Sequence, residues 1–178
     1  MDKIISKSGK KISLRLPTGD DVGLLYDFAK EIEGEDTFIL LNPNEPLTME
    51  EEEKYVEKLI IDIKEKKKLT YMALDESRVI GSCDVTVLGK RQGHVGRMGI
   101  SLLKEYRGDG IGKKLLVFVM EKAKEKLGIS QIVLNCFANN EVACRLYESV
   151  GFREYGLHPR AVKYKGGLVD EKMFVKDL

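Results

Sequence analysis

The chain has 178 residues, a length suited to one domain, with 30 Lys and Arg set against 29 Asp and Glu for a formal charge of +1. That balance excludes the one-signed field of a protein that coats nucleic acid or an anionic membrane. The 43% hydrophobic and 33% charged content is that of a folded domain and not of a disordered chain.

Asp2 and Lys3 ahead of the short Ile4-Ile5 pair make no signal-peptide core, and the longest apolar run, Leu115 to Met120, is too short to cross a bilayer. A cytoplasmic location with no membrane partner is therefore expected. Cys83, Cys136 and Cys144 are odd in number and lack CxxC spacing, so neither a disulfide framework nor a metal site is expected. Each reads as a small buried hydrophobe.

Ile12, Leu14 and Leu16 alternate up to Pro17, the pattern of a first strand. Thr18 with Asp21 is a capping-box start for a helix with Val22, Leu25, Phe28, Ala29 and Ile32 on one face, closed by Gly34. A loop with Pro43 and Pro46 leads to Thr48 and Glu51, which cap a second helix. Its acidic first turn and basic last turn, Lys66 to Lys68, complement the helix dipole. From Leu69 the period becomes two, and Tyr71 to Leu74 and Val79 to Val87 read as a hairpin around Asp75-Glu76-Ser77. Residues 94 to 103 form another strand, whose Gly96 and Gly99 mark a bulge or a close approach.

Ile111, Leu115, Val119, Ala123 and Leu127 define a long amphipathic helix ended by Gly128. Ile132 to Leu134 is a buried strand, Asn139 or Asn140 starts a short helix that stops at Gly151, and residues 152 to 163 and 168 to 175 form a closing hairpin. The order βααβββαβαββ predicts one α+β domain over 1–178, a mixed, mostly antiparallel sheet of about seven strands with about four helices.

The run Arg107-Gly108-Asp109-Gly110-Ile111-Gly112-Lys113 sits between a strand and a helix. Its glycines let backbone approach a ligand closely, and the first helical turn offers free N–H groups to an anion. A dinucleotide fingerprint fails because the sixth position from Gly108 is Lys113, and a P-loop fails because Gly112-Lys113 is followed by Lys114.

The spacing Arg107-x-x-Gly110-x-Gly112 after a strand, followed by Asn140-x-x-Ala143-x-x-Leu146-Tyr147-x-x-x-Gly151-Phe152, resembles the GNAT superfamily of acetyl-CoA-dependent N-acetyltransferases. The likeness extends over nearly the whole element order, with the middle and tail closer to small-molecule and Rim-type N-terminal branches than to the histone branch. It implies a GNAT fold whose sheet splays at a cofactor slot, with acetyl-CoA or coenzyme A as cofactor. Backbone N–H groups of Arg107, Gly108, Asp109, Gly110, Ile111, Gly112 and Lys113 would hold the pyrophosphate. Ile100, Ser101 and Leu102 would splay from Leu134, Asn135 and Cys136 to admit the pantetheine arm, with a bulge at Gly99 or its neighbour aiming an N–H at the thioester carbonyl. Asn140 would hold the arm from the other side. The closing hairpin of the family often pairs across a homodimer.

Direct transfer to an amine needs a neutral nucleophile, stabilisation of an oxyanion and a proton for the leaving thiolate. Tyr147, also beside the cofactor, suits the last task, since a phenol near pKa 10 stays protonated at neutral pH. His94, at the start of the glycine-containing strand, is the first candidate base, with Glu33 and Glu35 on the loop over the acceptor side as runners-up. A lysine-like amine costs about 4.6 kcal/mol to deprotonate at pH 7 and an α-amine only about 1, so an α-amine needs little more than a water chain. The acceptor is expected to be a small-molecule amine or a peptide N-terminus, not a nucleic acid. Transfer through an enzyme thioester at Cys136 or Cys144 lacks a partner His set by any motif. The alternative from another class is a catalytically silent module of the same fold that senses CoA or an amine.

Residues 31 to 53 hold nine acidic side chains (Glu31, Glu33, Glu35, Asp36, Glu45, Glu50, Glu51, Glu52, Glu53) and no Lys or Arg, which leaves +10 elsewhere. An acidic lid over a cationic amine and a basic remainder for phosphates is the expected division, with Arg160 and the Lys165-Gly167 turn bordering the same site.

Overall fold

The computed structural model describes residues 2–35, 38 and 47–178. Asp36, Thr37 and the stretch 39–46, which includes Pro43, Glu45 and Pro46 of the expected lid, lie outside the described residues.

Among the described residues the sheet has eight strands rather than seven. The additional one is β1 (Asp2–Ile5), paired antiparallel with β2 (Lys11–Arg15) through Ile4↔Ile12. It is an exposed edge strand of four residues, so it carries no buried alternation to announce it. Then come α1 (Val22–Gly34), α2 (Met49–Lys64), β3 (Lys68–Asp75), β4 (Arg78–Val87), β5 (Val95–Leu102), α3 (Ile111–Leu127), β6 (Gln131–Phe137), α4 (Glu141–Ser149), β7 (Arg153–Tyr164) and β8 (Gly167–Asp177). The sheet order is β1-β2-β3-β4-β5-β6-β8-β7, antiparallel except for β5 and β6.

Both capping boxes form. Asp21 accepts from the Thr18 N–H at 2.8 Å and is gripped by two Arg15 contacts of 2.6 Å, and Glu51 accepts from the Thr48 N–H at 2.9 Å. α1 ends at Gly34 without a left-handed turn, because Glu35 follows in right-handed geometry. The lysine run is corrected. α2 stops at Lys64, Lys66 turns with φ of 57°, and Lys68 belongs to β3, where it pairs with Asp84 at 3.3 Å. Burial outweighs the dipole there, since a half-buried ammonium needs a carboxylate.

Two faces of the sheet matter for the site. Tyr71 of β3 meets Phe118 of α3 edge-on at 4.9 Å, so the row Tyr71, Cys83, Ile100 faces α3. The opposite row, Thr70, Asp84, Gly99, faces the α1 and α2 side, as shown by Lys68 stacking on Tyr55 of α2. Leu115, Leu116 and Val119 of α3 are fully buried against the first face, each contributing roughly 1.5–3 kcal/mol.

Gly96 and Gly99 do not make a bulge. The β4–β5 register runs unbroken from Gly81↔Leu102 to Val87↔Gly96. A Cβ on Gly96 would lie 2.5 Å from Val85 and 2.7 Å from Ile129, so that glycine is there for close packing.

Candidate active site

β5 and β6 pair over only three positions, Val95↔Gln131, Gly96↔Ile132 and Arg97↔Val133. Beyond these the strands are unpaired, and a slot opens between Met98–Leu102 and Leu134–Phe137. Alternate residues of a strand present their N–H and C=O groups to opposite neighbours. The Leu103 N–H donates to Ile80 of β4, and the His94 carbonyl accepts from Ser130 and Gln131 on the β6 side. Even-numbered residues of β5 therefore face the slot, so Ile100 and Leu102 offer main-chain groups to it while Ser101 is turned to β4. Across the slot Asn135 does the same, because Ala138 donates to Asp170 of β8 and fixes the opposite parity for the even residues of β6.

The strands are parallel, so both of their C-terminal ends lie at the open end of the slot, and each is followed by a helix N-terminus. At the first, Gly108 and Gly110 take φ of 80° and 78°, left-handed values that favour glycine. Among the described residues the N–H groups from Gly108 to Lys113 meet no protein acceptor, and the first helical bond is Lys114 to Gly110. This cradle of free donors suits a pyrophosphate. The Arg107 N–H is not part of it, being donated to Lys104 at 3.1 Å, and the Arg107 side chain caps Leu102 and pairs with Glu35.

The side chains of the loop are structural. The Asp109 carboxylate accepts from Ser8 N–H at 2.8 Å and from Ser8 Oγ at 2.6 Å, which clasps the loop to the β1–β2 turn and lowers the Asp109 pKa. Lys113 donates to the Ser149 carbonyl at 3.1 Å and Lys114 to that of Ile5. Two cations at a helix N-terminus are thus accommodated by carbonyls of neighbouring elements.

At the second helix Asn140 caps α4, its Oδ1 accepting from Ala143 N–H at 3.2 Å. Its amide nitrogen has no partner among the described residues. Tyr147, 8% exposed, packs its ring on Phe152 and Phe174, and its hydroxyl meets no protein partner among the described residues. Burial, with the neighbouring Cys136, Cys83 and Cys144 as lesser causes, raises its pKa and keeps the phenol neutral. Cys136 and Cys144 are free thiols with sulfurs 3.8 Å apart, and burial raises Cys136 well above the ordinary thiol range. A thiolate nucleophile is disfavoured there.

Of the candidate bases only Glu35 reaches the end of the slot, and it is engaged there by Lys104 and Arg107. His94 is exposed and lies at the closed end of β5, about 23 Å along the strand from Ser101. Glu33 pairs with Lys30 at 3.1 Å, and Glu35 accepts from Lys104 N–H at 2.7 Å besides holding Arg107. The acidic lid is largely neutralised within the described residues, since Glu31 pairs with Arg78, Glu50 with Lys54, Glu51 serves its cap and Glu52 is buried.

The side chains of Asn135 and Phe137 point to the α1 and α2 side of the sheet, where Phe137 is beside Glu171 of β8, and Glu171 is beside His158 of β7. Asn135 Nδ2 donates to Glu171 Oε2 at 2.9 Å. Phe38, Phe137 and Tyr164 close this side as an aromatic trio with centroids 5.0 to 5.9 Å apart. Glu171 escapes sequence reading because the tail carries no motif.

The sequence model of the acetyltransferase (GNAT) family matches residues 29–152. The chain belongs to the acetyltransferase (GNAT) family. It is 35% identical over 92 residues to N-alpha-acetyltransferase 30 of Schizosaccharomyces pombe, covering 48% of this chain and 58% of that one. It is likewise 35% identical over 75 residues to the spermine/spermidine N(1)-acetyltransferase of Bacillus subtilis, covering 42% and 44%. The chain thus spans about half the length of the curated relatives it matches. The acetyltransferase yncA of Salmonella typhimurium, solved with its cofactor acetyl-CoA, shares the fold with a TM-score of 0.80 at 15% identity over 94% of each chain. The GNAT family likeness agrees with the slot and loop geometry on the segment that carries both motifs.

Proposed function

We propose that the protein is an N-acetyltransferase that moves the acetyl group of acetyl-CoA directly to a primary amine. The observation that carries this reading is the opening of β5 from β6 after Arg97 and Val133, next to the unpaired N–H groups of Gly108 to Lys113. A pyrophosphate fits the cradle, and a pantetheine arm fits the slot, where main-chain groups of Ile100, Leu102 and Asn135 pair with it in strand fashion. Acetyl-CoA supplies an activated thioester.

The chain's own residues do the rest. The slot excludes water from one face through Tyr147, Phe152 and Phe174. The slot-facing Ile100 and Leu102 N–H groups supply oxyanion donors without any bulge. Tyr147, neutral and without a hydroxyl partner among the described residues, donates its proton toward sulfur. The relatives differ by name in the amine they acetylate, an α-amine for one and spermine or spermidine for the other, and the acceptor here is a small-molecule amine or a peptide N-terminus. We place the reaction in the cytoplasm; no described helix is long and apolar enough to cross a membrane. Tyr155, Leu157 and Leu168, exposed on the outermost hairpin, suit a homodimer contact, which a mass measurement in solution tests.

The test of function is release of free thiol from acetyl-CoA over a panel of polyamines, amino acids, aminoglycosides and peptides with free N-termini. Saturable release with one amine class supports the proposal. Tight CoA binding without release on any amine refutes it and supports a sensing role.

A further inference from the structure

We propose that Glu171 is the catalytic base that takes the proton of the acceptor amine, and that Asn135 is the residue that positions it. The inference rests on the acetyl-transfer reading above.

Four observations converge on this carboxylate. It sits on the face of β8 shared with Asn135 and Phe137, on the far side of the sheet from Tyr147. Its Oε2 lies 2.9 Å from Asn135 Nδ2, which places the carboxylate over β6, about one strand spacing from the slot. The bond to Asn135 occupies one oxygen, and no described residue donates to Oε1. Among the described residues Glu171 has no cationic partner, whereas Glu31, Glu33, Glu35 and Asp84 are all paired. The groups around it are His158 on β7, Asn135 and Phe137 on β6, and the Cys136 thiol, which feels its charge.

Proton removal is the demand this residue meets. At pH 7 only about one lysine-like amine in 2,500 is neutral, against about one α-amine in seven. In the proposed step the ammonium proton moves to Oε1 of Glu171 and the freed nitrogen pair forms the C–N bond to the acetyl carbon. The C–S bond breaks with its electron pair on sulfur, which takes a proton from Tyr147. The second nitrogen proton passes to water, and water resets both side chains. The sum is ammonium plus thioester giving amide, thiol and one released proton. Base and acid act from opposite faces of the sheet, so neither neutralises the other.

The experiment uses the full chain and the fastest-reacting amine of the panel whose pKa is near 10, for which deprotonation at pH 7 is costly. Glu171→Gln is expected to lower kcat/KM at pH 7 by about 100-fold or more with CoA affinity unchanged. Its rate should then climb about tenfold per pH unit as free amine accumulates, while the wild type stays level. Asn135→Ala should lower kcat about tenfold with the KM for acetyl-CoA unchanged, a split that a merely structural contact does not produce. A Glu171→Gln variant within threefold of the wild type and with a parallel pH profile overturns the assignment while leaving acetyl transfer standing. A wild type that acetylates no amine overturns the functional reading, and this one with it.

Discussion

Replacing Tyr147 by Phe tests the acid with little disturbance to the fold. The ring contacts, 6.0 Å to Phe152 and 5.9 Å to Phe174 between centroids, survive the change. The lost hydroxyl has no protein partner among the described residues, so stability should move by less than about 1 kcal/mol. The rate should not be spared. A thiol of ordinary pKa near 8.5 that leaves unprotonated at pH 7 is about 1.5 units uphill, or about 2 kcal/mol, which predicts a fall in kcat of roughly 30-fold. Thiol release at saturating acetyl-CoA, with a thermal melt and a CoA titration as controls, measures it. A Tyr147→Phe enzyme within about threefold of the wild type, with melt and affinity unchanged, refutes the role.

Three further outcomes follow from the geometry. Gly108→Ala adds a methyl that meets nothing within 4 Å, yet forces φ of 80° on a residue with a Cβ; a backbone cost of about 1–2 kcal/mol should appear as a roughly tenfold loss of CoA affinity by calorimetry. His94→Ala should leave kcat/KM within about twofold, because the side chain is exposed at the paired end of β5. Asp21 is 3% exposed and held at a pKa of about 2, first by its bonds to Arg15 and then by those to Thr18. A depressed carboxylate stabilises the fold in full above its unfolded value and loses that contribution as the pH falls, here from about pH 4 to pH 2. Asp21→Asn should therefore lower stability by about 2 kcal/mol at pH 7 and flatten the acid slope of urea midpoints across that window.

The donor half of the site was legible because its requirements are written in residue types. Left-handed φ at Gly108 and Gly110 calls for glycine, a cap at Asn140 calls for a short polar side chain, and both survive as spacing. The same logic misled where one residue type serves two ends. Gly96 reads as a bulge but makes room for Val85 and Ile129. His94 shares the strand and alternation of the slot yet sits where β5 and β6 are still paired, a distinction that only register makes. β1 was missed because an exposed four-residue edge leaves no apolar period.

The acceptor half was not legible for a different reason. The family match ends at residue 152, while Glu171, His158 and Tyr164 come from the two strands beyond it. A cofactor held by backbone constrains the chain to glycines and caps in a fixed order. An acceptor is met by side chains of a sheet edge, where any residue of the right parity can be substituted without altering the fold. Asn135 joins the halves, since its backbone faces the slot and its side chain holds Glu171. A change at Asn135 should thus alter the choice among amines more than the affinity for CoA, whereas a change at Gly108 should do the reverse. Comparing the amine panel for the two variants separates these halves, and an Asn135→Ala enzyme with an unchanged ranking of amines would break the argument.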